Sequence, residues 1–238
     1  MQYFQPKSRD KNLDKISIII PTLNEAANLT TTIQLVQQGH DVEIIVVDGG
    51  SQDQTVAIAQ SLPIQTLSSA PGRANQMNAG AKMATGEILL FLHADTHLPG
   101  GFDTAIRQTL KNNSQLVVGA FELKIDNSRW IFRIIENLVN WRSRFFSLPY
   151  GDQGMFLKTK TFWALGGFAN LPIMEDFEIM QRSQKRGKIA IIPLPVVTSA
   201  RRWQKLGVWK TTLINQLIII AYFVGVSPQQ IAQWYRRQ

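Results

Sequence analysis

Four short runs, at residues 16–20, 43–47, 64–67 and 87–92, alternate with three stretches of helical character, at 25–38, 54–61 and 74–84. The first, second and fourth runs are continuously apolar or nearly so, the pattern of strands buried on both faces. Strand and helix in strict alternation predict an α/β fold with a mostly parallel sheet flanked by helices. Ligands of such sheets bind beyond the carboxyl ends of the strands. Asp48 and Asp95 each follow a strand end and are expected to converge on one crevice. Pro21 is expected to stop the first strand.

The second half is less regular. A strand is expected at 116–125, an amphipathic helix at 129–146, and a loop entering a strand at 151–157. A short helix at 161–165 is closed by Gly166-Gly167. A helix at 176–186, strands at 189–192 and 196–197, and a helix at 211–224 complete the reading. With 238 residues, 45% of them hydrophobic, the chain suits one large domain with a small appendage. The division expected is a tail over 1–15, a catalytic domain over 16–204 and a helical extension over 205–238. No internal repeat is found.

There is no cysteine, which excludes disulfides, zinc–thiolate sites and a cysteine nucleophile. Residues 1–15 are polar, without the apolar core of a secretory signal, and no run of apolar residues is long enough for a clear membrane span. A cytoplasmic protein is expected, with a peripheral position on the cytoplasmic membrane face as the alternative. The net charge of +8 is concentrated at one end. Residues 179–238 hold ten Lys and Arg and no Asp or Glu, whereas the rest totals −2. Basic surfaces favour phosphates, nucleic acids or anionic lipids. The plainer reading is a solvated surface, and no nucleic-acid partner is expected.

Four places carry chemistry. Asp48 opens a Gly49-Gly50-Ser51 turn, where a carboxylate can accept hydrogen bonds from a base or ribose; the plainer reading is a turn former capping the next helix. Asp95, in His93-Ala94-Asp95-Thr96-His97, suits a divalent cation whose shell is completed by substrate phosphates; the plainer reading is a polar turn. Glu175-Asp176 opens a helix, as dipole partners or with a general base aimed into a cleft. Arg201-Arg202-Trp203 offers paired guanidiniums for a diphosphate, with Arg73 adding a contact from the first half. A glycine-rich dinucleotide loop, a Walker loop and a nucleophile elbow are all absent.

In this order, the elements from about Ile16 to Trp203 resemble the inverting GT-A glycosyltransferases of family two. Ile18-Ile19-Ile20-Pro21-Thr22-Leu23-Asn24-Glu25 is similar to the opening strand and nucleotide loop, and Val46-Val47-Asp48-Gly49-Gly50-Ser51-Gln52-Asp53 to the base-contacting segment. Ala94-Asp95 matches the end of the D-x-D metal motif, with His93 at its first acidic position. Glu175-Asp176 matches the acidic pair that supplies the base. Arg201-Arg202-Trp203 resembles the Arg-Trp element that meets the leaving diphosphate in processive relatives. Segments 72–80, 90–96 and 151–154 resemble a small bacterial subgroup associated in part with arsenosugar biosynthesis, and near it with carotenoid glycosylation.

The resemblance implies a GT-A, Rossmann-like fold, Mg²⁺ or Mn²⁺ at Asp95, and a nucleotide-diphosphate sugar donor, UDP-sugar by default and GDP-sugar otherwise. Donor contacts fall on Pro21, Thr22, Glu25, Asp48, Arg73, His93, Arg201, Arg202 and Trp203. Asp176, beside Glu175, would deprotonate an acceptor hydroxyl in a direct, inverting displacement. The acceptor is unassigned, with a lipid among the candidates. The helices at 129–146 and around 211–226 have interfacial composition, but packing on the catalytic domain is favoured for the first. A catalytically silent module for anionic lipid or polyanion is the rival from another class. Asp48, Asp95 and Asp176 argue against it. A sugar nucleotidyltransferase is the nearer rival, disfavoured because Pro21-Thr22-Leu23-Asn24-Glu25 replaces its glycine-rich basic loop.

Overall fold

Every residue of Ile16–Thr22 is buried, and this strand, β1, lies inside the sheet. The computed structural model describes residues 14–236, so 1–13 of the expected tail lie outside the described residues. The first half continues through α1 (Ala26–Val36), β2 (Val42–Asp48), α2 (Thr55–Ser61), β3 (Gln65–Ser68), α3 (Arg73–Met83) and β4 (Ile88–Phe91). The second half runs through β5 (Thr96–His97), α4 (Phe102–Asn112), β6 (Leu116–Asp126), α5 (Trp130–Phe146), a 3-10 turn (Gly151–Gln153), β7 (Met155–Lys158), α6 (Thr159–Ala164), α7 (Glu175–Gln184) and β8 (Lys188–Ser199). Three helices end it: α8 (Arg201–Leu206), α9 (Val208–Phe223) and α10 (Pro228–Arg236).

The strands form one sheet in the order β3-β2-β1-β4-β7-β6-β8-β5. The first four strands are mutually parallel, β7 is antiparallel to both its neighbours, and β6 and β8 are parallel. This is the mixed, mostly parallel α/β sheet expected. The chain builds outward from β1 to β3 and then crosses back to β4, so the switch point lies between β1 and β4. Sheets of this kind place their ligand crevice there, beyond the carboxyl ends.

Alternate residues of the strands feed two cores. Ile18, Ile20, Val46 and Leu90 meet α1, α4 and α5 on one face. Ile19, Ile45, Val47 and Leu89 meet α3, α6 and α7 on the other. Burial of each such side chain contributes about 1.5–3 kcal/mol. Gly80 lets α3 lie against β1: a Cβ there would be 2.5 Å from Ile19 Cγ2. A third, smaller core joins α7 to α9 and α10 through Phe177, Ile231 and Ala232.

Three expectations are corrected. Pro21 does not stop β1, which reaches Thr22. Leu92 N–H donates to Ile19 O on the β4 side, and two residues on, where Pro21 lacks its own N–H, β4 has already ended. No ladder bond is lost. The strands expected at 189–192 and 196–197 are one strand, β8. Its partner on β6 jumps from Phe121–Ile192 to Glu122–Pro195, so Pro193 and Leu194 form a bulge. Helix α4 was absent from the expected elements although Phe102, Ile106 and Leu110 recur at helical spacing and Asp103 opens its first turn.

Candidate active site

The loops after β1, β2 and β4 build one wall of the crevice. Asn24 N–H donates to Ser51 Oγ, Gln52 N–H to Asn24 Oδ1 and Glu25 N–H to Thr55 Oγ1, each at 2.8 Å, tying the first two loops together. Asn24 holds φ +56, a left-handed conformation that asparagine tolerates. Gln76, buried on α3, donates from one nitrogen to Thr22 O and Val47 O, both at 2.8 Å, and fixes the two strand ends. The His93–Asp95 loop is held on both sides, by Thr32 Oγ1 donating to Ala94 O at 2.6 Å and Ser199 N–H to Asp95 O at 3.1 Å.

Asp48 is only 3% exposed, and its carboxylate accepts from Gly50 N–H at 2.8 Å, Ser51 N–H at 2.9 Å and Ser51 Oγ at 2.5 Å. It shapes the turn, in which Gly49 is packed against Gln76, with a Cβ there 2.9 Å from Gln76 Cδ, and Gly50, at φ +102, is exposed and open. Thr22 is likewise buried, with its hydroxyl toward Val47 O. Pro21 lies within β1.

Asp95, Glu25 and Arg201 form one cluster. Arg201 Nη2 donates to Glu25 Oε1 at 2.8 Å and to Asp95 Oδ2 at 3.2 Å. Burial and the Glu25 charge push the Asp95 carboxyl above its ordinary range, against the pull of Arg201. Arg202 and Trp203 do not join them. The turn of α8 swings successive side chains apart. The Arg202 guanidinium lies 4.4 Å over the Tyr235 ring, and Trp203 meets Phe132 edge-on at 6.2 Å.

The second cluster surrounds Asp176. Its Oδ2 accepts from Gly151 N–H and its Oδ1 from Phe177 N–H, both at 2.8 Å, so backbone amides aim the carboxylate. A Cβ on Gly151 would lie 3.1 Å from Asp176 Oδ2 and 3.2 Å from His93 Nε2. His93 thus meets the acidic pair rather than extending the Asp95 cluster. Burial and then Arg73 depress its imidazole to about 4, with Asp176 opposing, so it is neutral at pH 7. Glu175 is buried and bound to Arg73 Nε at 2.7 Å, whereas Asp176 is half-buried and in no salt bridge among the described residues. Met174, just before them, holds φ +69, a strained conformation for a side chain of its kind.

Three residues were given no role from the sequence. Gln153 is fully buried; its Oε1 accepts from Tyr150 N–H at 3.0 Å and Ser143 Oγ at 2.8 Å, and its Nε2 donates to Phe121 O at 2.9 Å. It holds the 3-10 turn that presents Gly151. Asp152 Oδ1 is buried without a partner. Burial raises its carboxyl to about 6; Arg142 and Arg73 oppose this, and Asp176 and Asp95 add to it. The Arg142 guanidinium sits 3.4 Å over the Tyr150 ring. The Gly151-Asp152-Gln153-Gly154 segment was the available signal.

Among the described residues no three His, Asp or Glu side chains come together as a ready-made metal cage. The donor set still fits a hard cation bound in part by substrate. Asp95 and Glu25 bring carboxylate oxygens to a single positive group, and Mg²⁺ or Mn²⁺ needs only one or two protein carboxylates when phosphates complete the shell.

Residues 17–169 match the family described as Glycosyl transferase family 2. The chain belongs to this family. Among its relatives, a PGL/p-HBAD biosynthesis glycosyltransferase of Mycobacterium bovis is 38% identical over 127 residues, 48% of this chain and 49% of that one. A dolichol-phosphate mannosyltransferase of Pyrococcus furiosus is 31% identical over 119 residues, 46% of this chain and 34% of that one. The chain thus spans between a third and a half of the length of these curated relatives. The crystal structure of S. aureus TarS 1-349 superposes with a TM-score of 0.64 at 18% identity, covering 92% of this chain and 69% of that one. The mannosyltransferase PcManGT from Pyrobaculum calidifontis, in complex with GDP-Man and Mn²⁺, gives 0.61 at 18% identity, covering 79% and 57%. These likenesses establish the family-two, GT-A-like fold.

Proposed function

We propose that this chain is an inverting glycosyltransferase that moves a sugar from a nucleotide-diphosphate donor to an acceptor hydroxyl, with Asp176 as the base. What supports this is one observation: Asp176, aimed by two backbone amides, shares a neighbourhood with Arg73, His93 and Asp152 at the crevice mouth of a family-two fold. Asp176 takes the acceptor's proton as the hydroxyl attacks the anomeric carbon. Arg73 and Arg201 face the charge that grows on the departing diphosphate. Arg73 does so while anchored by Glu175. Asp152 is suited to accept a hydrogen bond from a sugar hydroxyl through its unpartnered oxygen. The Asp48 turn and the Thr22–Glu25 loop receive the nucleoside. Asp95, with Glu25 beside it, would hold Mg²⁺ or Mn²⁺, which when bound supplies Lewis-acid stabilisation of the diphosphate. Neutral His93 adds no positive charge beside the base.

UDP-sugar is the default donor and GDP-sugar the alternative; solved relatives of this fold are described with GDP-Man and with UDP-GlcNAc. The subgroup resemblance adds arsenosugar biosynthesis as a setting. The test is a thermal-shift panel of UDP- and GDP-sugars with and without Mn²⁺, paired with assays for nucleoside diphosphate release. One donor should raise the melting temperature, more so with Mn²⁺, and be consumed. If no donor shifts or is turned over, the reading fails.

A further inference from the structure

Two helices expose apolar stripes that the fold leaves uncovered. On α5, Trp130, Ile134, Leu138, Trp141 and Phe145 are exposed and recur every three or four residues along one side. The other side of α5 is accounted for: Ile131, Phe132 and Ile135 are buried in the sheet's core. On α9, Trp209, Leu213, Leu217, Ile220 and Phe223 repeat the same spacing and are again exposed. Its inner side is also accounted for, by buried Thr211 and Ile214 and by Ile218 and Tyr222 in the core with α7. The start of α9 lies close to α5. Trp203, just before α9, meets Phe132 of α5 edge-on, and Val208, the first residue of α9, packs against the same core.

We propose that these stripes form an interfacial face that docks on an anionic lipid bilayer. The charges around them select this occupant over a second copy of the chain. Glu136, the single acidic residue of α5, is buried and paired with Arg133 at 2.8 Å. Of the exposed basic residues beside the stripes, Arg129, Lys205 and Lys210 have no ion-pair partner among the described residues, while Arg144 pairs with Glu122; exposed Asp126 precedes α5, and no Asp or Glu follows Glu178. Two such faces brought together would repel, whereas anionic headgroups attract them. Tryptophans among the apolar residues and basic residues at the flanks are the composition of helices that lie in the headgroup region. Among the described residues no helix is long and apolar enough to cross a membrane, so the face lies on the bilayer.

The face connects to the base. Phe177, the residue after Asp176, meets Tyr222 and Phe223 of α9 edge-on at 5.4 and 5.3 Å. Docking through α9 therefore places the base helix one helix away from the lipid surface, where an acceptor hydroxyl on an amphiphilic molecule would be presented. This acceptor half rests on the transferase reading; the docking half does not.

The test is co-flotation of the full chain with phosphatidylcholine vesicles, with and without phosphatidylglycerol. The chain should float with the anionic vesicles and be released as salt rises. The triple substitution Leu213→Ser, Leu217→Ser, Ile220→Ser should cut the floated fraction roughly tenfold, which is the scale of losing about 1.4 kcal/mol of binding. Should that variant melt early, the charge reversals Lys205→Glu and Lys210→Glu serve instead and should also reduce flotation. Flotation of both variants at the wild-type level overturns the proposal. A dimer by light scattering that the stripe substitutions break, with no vesicle binding, overturns it in favour of a second copy. Donor-induced thermal shift should be unchanged in both variants; flotation without any donor shift would sink the transferase reading and leave the docking face standing.

Discussion

Asp152 carries a buried oxygen without a partner, and Arg201 lies between two carboxylates. Folding raises the Asp152 carboxyl from the ordinary 3.8 to about 6, mainly by burial. Between those values the folded chain keeps a proton that the unfolded chain has lost, so this group's contribution to stability falls as pH rises. Asp152→Asn should therefore be more stable than wild type at pH 7, by roughly 1–3 kcal/mol, and no more stable at pH 4. The same ionisation should give sugar transfer a rising limb near pH 6 that the variant lacks; denaturant melts and pH–rate profiles check both. Arg201 occupies the place between Glu25 and Asp95 that a divalent ion would share. Arg201→Gln should strengthen Mn²⁺ binding to the donor-free protein, read by calorimetry, and weaken donor binding. At this scale Asp95 and Asp176 were legible because each closes a strand or opens a helix within an ordered series of motifs. Asp152 was not, because its significance is the absence of a partner in a buried place. Gln76 was not, because it reaches Thr22 and Val47 from far along the chain.

At the level of elements, the starts of β1, β2 and β4 are pinned by one carboxylate. Glu43 accepts from Lys15 Nζ, Thr85 N–H and Thr85 Oγ1 at 2.6, 2.6 and 2.7 Å, and from Ser17 Oγ. Burial alone would raise this carboxyl, but these bonds together bring it from 4.5 down to about 2. A depressed carboxyl stabilises the fold above its unfolded value and loses that contribution as pH falls toward the folded one. Glu43→Gln should cost about 2–3 kcal/mol at pH 7, with the difference shrinking below about pH 4.5. Equal losses at pH 7 and pH 3 would contradict this. β1, β2 and β4 were legible as nearly continuous apolar runs, since both faces are buried, whereas β3, a half-exposed edge strand, was legible only from its place in the alternation. β8 was split in the reading because Pro193 and Pro195 look like breakers, and only the register on β6 reveals the bulge that absorbs them. The α5 and α9 patterns were ambiguous for a physical reason. Each helix has apolar residues on its packed side and on its outward side, and composition does not say which side is covered.

For the molecule as a whole, the parallel half carries the strand-end loops and the mixed half supplies the Gly151 turn, α7 and Arg201. The two halves meet where these loops converge, and the C-terminal helices close on α7 through Phe177. If Asp176 is the base, as proposed, donor binding should be separable from chemistry, because Asp176 is held by backbone amides and joins no salt bridge among the described residues. The central claim is tested most directly by comparing wild type with Asp176→Asn for both donor-induced thermal shift and nucleoside diphosphate release in the presence of acceptor and Mn²⁺. The account predicts an unchanged shift and a loss of at least about 10²-fold in release. An Asp176→Asn protein that turns over at the wild-type rate would contradict it.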